Sequence, residues 1–398
     1  LIHYALNQPL FIVLGTLLFV MAGITAFKNL SVEAFPDVTD TQVTVIALYP
    51  GRAAEEVEKQ VTLPLEANLS GLPHSIRVFS HTQFGLSFTV ITFDDQADVN
   101  LARQQVYERL SSVDLPDGAQ VNVAPNATPV GEIMRYRVRG DGLSTTDLRT
   151  LEDWTIERSL RQVPGVADVN ALGGEARTFE VVPDLLKMAA NSVTLEELRQ
   201  VITTNNSNDG AGRLDEGGES LLVREEGRIQ TPDDLRAIVV GMRDGAVVRL
   251  GDVADVRIGA LTRYGAVTRN GQGEAVEGLV LSLAGANARE VVAGVKARLL
   301  EVQPSLPAGT RLHVFYDRAH LVDKAVGTVA EALLEATALV LVLLGLFLGN
   351  VRAAITVAVI LPLSALITFI LMRQFGMSAN LMSLGGLAIA IGMLVDAA

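Results

Sequence analysis

The sequence predicts an α+β membrane protein, in which transmembrane α-helices flank a large polar region of mixed strands and helices. Long uncharged runs lie near both ends of the 398-residue chain, and residues 28–324 between them hold most of the charges. Overall, 49% of the residues are hydrophobic and 19% are charged, which is too apolar for a disordered chain. Within the polar region, one order of strand and helix patterns occurs twice, which predicts a duplicated unit.

The first hydrophobic run predicts a retained transmembrane helix over residues 8–28. Its uncharged core, from Leu10 to Phe27, is about 18 residues long, which is just enough to cross the hydrocarbon layer. A secretory signal would have a shorter apolar core and a small-residue cleavage site, and no clear site precedes Lys28.

Three more spans are predicted after the polar region, at residues 325–349, 352–373 and 376–398. Glu331 and Glu335 share one face of the second span near its start, as expected of an interfacial helix end. Arg352 and Arg373 bracket the third span, and the fourth stays uncharged up to Asp396. The chain ends within this last span and begins without methionine, so we expect a fragment of a longer protein.

The short loop between the second and third spans sets the orientation. Cytoplasmic loops are enriched in Lys and Arg, so the turn at Arg352 is expected on the cytoplasmic side. The amino terminus is then cytoplasmic too, and the polar region lies outside the cytoplasm.

The first part of the polar region, residues 29–125, predicts one complete ferredoxin-like unit. Alternating β-branched positions indicate a strand at 41–49, and apolar residues at four-residue steps indicate a helix at 53–69. The remaining predicted elements are strands at 76–82 and 86–93, a helix at 101–113 and a strand at 120–124. The order β-α-β-β-α-β is that of the split ferredoxin-like motif.

A second unit of the same kind is split by an insertion. Its first half, 126–174, is predicted to hold a strand at 132–139, a helix at 145–162 with Trp154 in the core, and a strand at 166–171. Its second half, 261–322, is predicted to hold a strand at 277–284, a helix at 288–302 and a strand at 310–316. The Leu-Pro-x-Gly turns at 115–118 and 306–309 precede the last strand of each unit, as a duplication predicts. The intervening block, 175–260, is rich in Gly, Asn, Asp and Glu, which indicates a protruding loop or docking module.

Composition excludes several functions. The net charge of −13 opposes a nucleic-acid partner, which would require a basic face. The chain has no cysteine, so any metal would be held by carboxylate, histidine, methionine or backbone oxygen. The glycine-rich stretches lack the phosphate-loop pattern, so nucleotide-driven chemistry is not indicated.

Asp396 is the strongest functional candidate in the spans. A charge near the middle of a bilayer costs roughly 3 kcal/mol on insertion scales, so intramembrane acids usually have a function. A carboxyl group there can take up and release a proton when its surroundings change. The alternative is an acid at the hydrated end of its span, since about 20 uncharged residues precede it.

Four motifs give the whole chain a resemblance to a known family. They are Glu33 to Asp40 after the first span, Tyr49 to Glu58 at the first strand-to-helix turn, and Asn380 to Gly386 and Gly392 to Ala398 in the fourth span. Their order and positions resemble the N-terminal part of resistance-nodulation-division (RND) efflux pumps. The two ferredoxin-like units then correspond to porter subdomains and the insertion to a docking subdomain, both in the periplasm.

The resemblance implies the mechanism and narrows the cargo. It implies that Asp396 is a proton-relay aspartate, and the following Ala397 is similar to the heavy-metal branch, because many drug exporters have two adjacent aspartates. Glu132 and Asp168 correspond to acids of zinc-type members and are the candidate metal ligands, with solvated strand ends as the alternative. Met382 is a weaker candidate, since copper-type members carry methionines along this span and Leu394 occupies one of those positions. Zinc, cobalt, cadmium or nickel is therefore favoured over copper or silver.

The resemblance also implies partners and a location. We expect a homotrimeric, multi-pass secondary transporter in the bacterial inner membrane, with a periplasmic adaptor (membrane fusion) protein and an outer-membrane channel. It would use no cofactor besides the transported cation and protons. An RND exporter of drugs or other hydrophobic compounds is the main alternative, and a membrane sensor or a scaffold subunit is less favoured.

Overall fold

The computed structural model describes residues 9–30, 33, 36–216, 219–243, 245–263, 265–348 and 351–397. Parts of the segment after the first helix, and Asn350 in the turn between the second and third predicted spans, lie outside these residues. The α-helices are α1 (Pro9–Lys28), α2 (Ala54–Val57), α3 (Leu63–Leu69), α4 (Val99–Leu110), α5 (Thr145–Leu151), α6 (Glu157–Leu160), α7 (Leu185–Ala190), α8 (Leu195–Thr204), α9 (Pro232–Ala237), α10 (Leu250–Val253), α11 (Ala288–Val302), α12 (Arg318–Leu348), α13 (Val351–Gln374) and α14 (Leu381–Ala397). The strands are β1 (Gln42–Leu48), β2 (Ser75–Gln83), β3 (Leu86–Phe93), β4 (Gln120–Val123), β5 (Glu132–Gly140), β6 (Val166–Leu172), β7 (Arg177–Pro183), β8 (Asn208–Glu216), β9 (Glu219–Glu226), β10 (Val239–Arg243), β11 (Ala246–Arg249), β12 (Ala254–Ala260), β13 (Val276–Ser282) and β14 (Thr310–Asp317).

The two predicted units form two antiparallel sheets with the same topology. The first sheet has the order β2-β3-β1-β4, and the second has the order β14-β5-β13-β6. In both, the unit's first and third strands are central and its second and fourth strands are at the edges. The strand and helix order predicted from the sequence is thereby confirmed, with element ends that differ by a few residues.

In each unit the helices pack on one face of the sheet, and the other face is left open. In the second sheet, Tyr136 and Val138 on β5 and Val280 on β13 point into a core that Val292, Val295 and Leu299 of α11 complete. The intervening positions on β5 are arginines, which lie on the opposite, open face because side chains alternate along a strand. The open face of this sheet therefore carries the three arginines of β5.

A π-helical turn interrupts the first helix of each unit, at Glu58–Thr62 and Glu152–Ile156. A π turn adds one residue to the helical repeat, so it rotates the side chains around it. In the second unit it buries Glu152 and turns Trp154 outward, with 63% of the residue exposed. The prediction that Trp154 lies in the core was therefore wrong; its ring stacks instead under the Arg158 guanidinium, 4.2 Å from the ring centroid.

The block inserted between the halves of the second unit folds around a core of its own. Strands β7 and β12 pair antiparallel and connect the block to the second unit, and β8 and β9 form a separate hairpin. Buried apolar residues from α7, α8, α9 and α10 pack together with β11 and β12. The domain boundaries and the docking role assigned to residues 175–260 stay predictions.

Long helices lie at both ends of the chain. Helix α1 packs closely on α13, because Gly23 has no side chain and a Cβ there would lie 2.7 Å from the Cβ of Leu366. Phe27 and Phe369 extend this contact, with ring centroids 4.8 Å apart. Among the described residues, Leu10–Lys28 alone is long and apolar enough to cross a membrane, and Pro362–Gln374 and Leu381–Ala390 are shorter apolar stretches.

Helix α12 joins the second sheet directly. It begins at Arg318, upstream of the span predicted at 325–349, and the Asp317 carboxylate caps its first turn by accepting the backbone N–H of Ala319 (2.8 Å). The last strand of the second unit thus continues without a linker into the 31-residue helix.

Candidate functional site

Glu132 opens the central strand β5 of the second sheet. A 3-10 turn at Pro129–Gly131 leads into it, and Gly131 lies against the backbone of Ser282, where a Cβ would come within 2.9 Å of the Ser282 oxygen. This close approach fixes the start of the strand. The Glu132 side chain is 32% exposed, so it remains accessible from the open face.

Arg135 holds the Glu132 carboxylate with two parallel hydrogen bonds. Its Nε lies 2.5 Å from Oε1 and its Nη2 lies 2.9 Å from Oε2. The third nitrogen, Nη1, donates to Glu277 at 3.0 Å. The Glu132 hydrogen bond, with the charges of both acids, raises the pKa of Arg135, so the guanidinium stays charged.

Asp168 occupies the edge strand β6 and is also paired with an arginine. Arg161, which ends the helix α6, places Nη2 2.6 Å from the Asp168 Oδ1 and 2.8 Å from Glu157 Oε1. The same Oδ1 accepts the backbone N–H of Val169 at 2.8 Å. The Asp168 side chain is 17% exposed, about half the exposure of Glu132.

The register of the sheet brings the two candidate acids to the same level. Leu281 on β13 pairs with Glu132 on one side and with Asp168 on the other. Directly opposed residues lie at the same position along a sheet, so Glu132 and Asp168 are aligned across β13. The Glu132 carboxylate projects from the open face, whereas the Asp168 carboxylate lies at the sheet edge against the end of α6. Two strand spacings separate their Cα atoms, which amounts to about 10 Å.

The described part of the chain does not by itself complete a metal centre. No group of three or more His, Cys, Asp or Glu side chains among these residues could hold an ion together. Zinc takes four ligands in structural sites and three protein ligands in catalytic ones. Glu132 and Asp168 would therefore need ligands from elsewhere, and each would have to exchange its arginine for the metal.

The other two candidates lie on α14. Met382 is in the first turn of the helix and is 74% exposed, with Asn380 capping the turn by accepting its backbone N–H at 3.0 Å. Asp396 lies in the last turn of the same helix, and its side chain is outside the described residues. Both assignments stay predictions.

The pairing of Glu132 with Arg135 and of Asp168 with Arg161 was not predicted from the sequence. Glu132 and Arg135 are three residues apart, a spacing that puts side chains on opposite faces of a regular strand. The register of β5 against β13 shifts between Val280 and Leu281, which leaves Ile133 as an extra residue. This bulge brings Glu132 to the face that carries Arg135.

Comparison with known proteins gives a consistent result over the whole chain. The model of the AcrB/AcrD/AcrF family matches residues 1–398. The chain is 38% identical to the cation efflux system protein CzcA of Alcaligenes sp. (strain CT14) and 37% identical to the cation efflux system protein CusA of Escherichia coli (strain K12). Both matches cover all of this chain and 38% of the relative, so the chain spans less than two fifths of these proteins.

The solved structures that this chain resembles are also of a heavy metal efflux pump. One crystal structure of a heavy metal efflux pump (crystal form I) matches with a TM-score of 0.88 and 36% identity. The match covers 100% of this chain and 40% of the solved one. A second crystal form of a heavy metal efflux pump gives a TM-score of 0.89, also at 36% identity, over 98% of this chain and 39% of the solved one.

Proposed function

This chain belongs to the AcrB/AcrD/AcrF family of RND transporters, and on that premise we propose that it is part of a proton-driven exporter of divalent heavy-metal cations. The names of two relatives support a metal cation as the exported substrate. CzcA of Cupriavidus metallidurans is a cobalt-zinc-cadmium resistance protein, and CnrA of the same strain is a nickel and cobalt resistance protein. The chain is 38% identical to this CzcA, 36% identical to CnrA and 37% identical to CusA of Escherichia coli (strain K12). These identities are too similar to indicate which ion is exported.

The observation that carries the proposal is the pair of acids that the register of the second sheet aligns across β13. Glu132 and Asp168 lie at one level, partly exposed, on a rigid sheet rather than on a loop. Carboxylate oxygens suit zinc and similar divalent ions, whereas copper(I) and silver prefer thioether sulfur. The high exposure of Met382 gives a soft ion no enclosed sulfur site in the described part of α14.

The ion pairs of Arg135 and Arg161 could couple cation binding to a conformational change of the second unit. While Arg135 and Arg161 neutralise the acids, the site is closed to a cation. A divalent ion that binds both carboxylates releases Arg135 toward Glu277 alone and Arg161 toward Glu157 alone. The two arginines come from a central strand and from the end of α6, so the exchange alters how helix and sheet contact each other.

Proton movement through Asp396 is proposed to drive the cycle. The second sheet continues into α12 without a linker, and α12 contacts α14, which carries Asp396. A change in the helices can therefore be transmitted to the metal site through β14 and α12. The complete pump is proposed to be an inner-membrane homotrimer with a periplasmic adaptor and an outer-membrane channel.

A growth assay of the full-length gene in a pump-deleted Gram-negative host tests the proposal. The challenges are zinc, cobalt, cadmium, nickel, copper, silver and one hydrophobic drug. We expect protection against divalent metals, lost in Glu132→Gln and in Asp396→Asn but kept in Glu196→Gln, an exposed acid of the inserted block. Protection against the drug alone would make the chain part of a drug exporter, and protection that survives Asp396→Asn would remove its proton-relay role.

A further inference from the structure

A second recess opens on the open face of the second sheet, away from the two acids. It has a volume of about 360 Å³ and lies between the sheet and the chain that precedes β13. That chain folds back over the sheet in a short bridge between Thr268 and Glu274, tightened by a hydrogen bond from the Arg269 N–H to the Gly273 carbonyl (3.2 Å). Glu132 is five residues away from Arg137 along β5, roughly 15 Å, so the recess and the acid pair are separate places.

Two arginines converge on this recess. Arg137 lines it from the central strand, where it lies opposite His313 on one side and Glu277 on the other. Arg269 lines it from the overlying turn. Burial lowers the pKa of Arg137, and the positive charges of Arg269 and Arg139 lower it further.

The charge of the recess is not balanced by the residues that the structure describes. The Arg137 Nε is buried and has no hydrogen-bond partner among them. Glu277 also lines the recess, but its carboxylate accepts from Arg135 at 3.0 Å. A buried donor of a charged group without a partner costs free energy, so an orphaned group of this kind calls for an explanation such as a bound ion.

The remaining walls fit a small organic molecule rather than a bare ion. Thr268 and Asn270 supply neutral polar groups, and Phe315 and Val267 supply an apolar side. The volume is within the range of small-molecule sites, about 300–1,000 Å³, and is much more than one inorganic ion needs. Guanidinium groups bind carboxylates through two parallel hydrogen bonds.

We propose that this recess is a binding site for a small organic carboxylate, held by Arg137 and Arg269 and covered by the turn at 268–274. The site is distinct from the proposed metal pair, since converging guanidinium groups repel a free divalent cation. The inference does not depend on which ion the protein exports.

Isothermal titration of the full-length, detergent-purified protein at low ionic strength tests this, with citrate as the probe. We expect saturable binding that Arg269→Gln weakens by roughly tenfold to a hundredfold, the usual loss for a charge-assisted hydrogen bond. Arg311→Gln is the matched control, because Arg311 is exposed on the same sheet face but does not line the recess, and it should change the affinity less than about twofold. Arg269 lies in an exposed turn, so this variant leaves the sheet intact even where Arg137→Gln disturbs it.

Three results would overturn the proposal. They are no citrate binding by the wild-type protein, equal binding by wild type and Arg269→Gln, and inorganic phosphate binding as tightly as citrate. The last would mean that the recess recognises a bare oxyanion and that its apolar wall plays no part.

Discussion

Glu152 is an ionisable group enclosed in the core of the second unit, and its titration should control the stability of that unit. The Tyr136 hydroxyl donates to its Oε1 at 2.5 Å, and its Oε2 has no partner among the described residues. The pKa of Glu152 is raised from 4.5 to about 8, and burial is the largest cause. The Glu157 and Asp153 carboxylates contribute to this rise, whereas the Tyr136 hydrogen bond and the Arg149 charge oppose it.

The direction in which stability changes with pH depends on whether the folded or the unfolded state binds the proton of Glu152. Between pH 4.5 and about 8 the folded unit keeps Glu152 protonated while the unfolded chain does not, so stability falls as the pH rises. The slope is about 1.4 kcal/mol for each pH unit, and the penalty levels off near pH 8 at roughly 5 kcal/mol. Below pH 4.5 both states are protonated and the penalty vanishes.

Hydrogen exchange measured by mass spectrometry on the full-length protein gives the opening free energy of β5 and β13, after correction for the chemical exchange rate. Between pH 5 and 8 we expect the wild type to lose about 4 kcal/mol more than Glu152→Gln, which cannot ionise. The amide of Gln places a donor where Oε2 has no partner, so this variant should carry a constant offset of about 1–3 kcal/mol.

Glu58→Gln is the matched control for this experiment. Glu58 opens the π turn of the first unit, as Glu152 opens that of the second, but it is exposed. It should follow the wild-type pH dependence in the second sheet. The reasoning is refuted if Glu152→Gln retains the wild-type slope, because the acid would then be charged or hydrated in the folded state.

Three further predictions concern single residues. Arg161→Gln frees Asp168 from its partly exposed ion pair and should raise the apparent zinc affinity of the full-length protein about two- to fivefold in a competition titration with a fluorescent chelator. Gly278→Ala would place a Cβ 2.2 Å from the ring of Tyr136 and should lower the opening free energy of the second sheet by about 1–3 kcal/mol in the same exchange measurement. Asp98→Ala removes the side chain that accepts two backbone N–H groups at the start of α4, and should lower the protection of that helix by about 1 kcal/mol.

The first two of these predictions have a control variant that separates the stated cause from a general effect. Arg199→Gln breaks an exposed pair with Glu196 in the inserted block and should leave the zinc affinity unchanged. Gly265→Ala adds a Cβ where nothing lies within 4 Å, so the second sheet should keep its opening free energy. If a variant and its control change the zinc affinity or the opening free energy by the same amount, the explanation from the local contact is contradicted.

The order of strands and helices could be predicted because it depends on periodicity, which is local. Both units were found from alternating and four-residue patterns, and the turn at 306–309 marked the second copy. Trp154 was expected in the core but is 63% exposed, because a π turn shifts the helical repeat and the sequence carries no clear signal for it. The same π turn buries Glu152, for which the sequence predicted no position.

The candidate site was only partly predictable for a similar reason. Glu132 and Asp168 were identified through a family resemblance, whereas their common level depends on the register of β13 between them. The pairing of Glu132 with Arg135 depends on a bulge, and that of Asp168 with Arg161 on a helix end brought beside a strand. Such contacts are set by tertiary structure, so spacing along the chain cannot reveal them.

The most direct test of the proposed export mechanism is proton movement in proteoliposomes that contain the full-length protein and a trapped pH-sensitive dye. The account predicts that added zinc causes a proton flux in the opposite direction to the metal, and that Asp396→Asn and Glu132→Gln each abolish it. Zinc movement without proton flux, or a proton flux that responds to a hydrophobic drug and not to zinc, would contradict it.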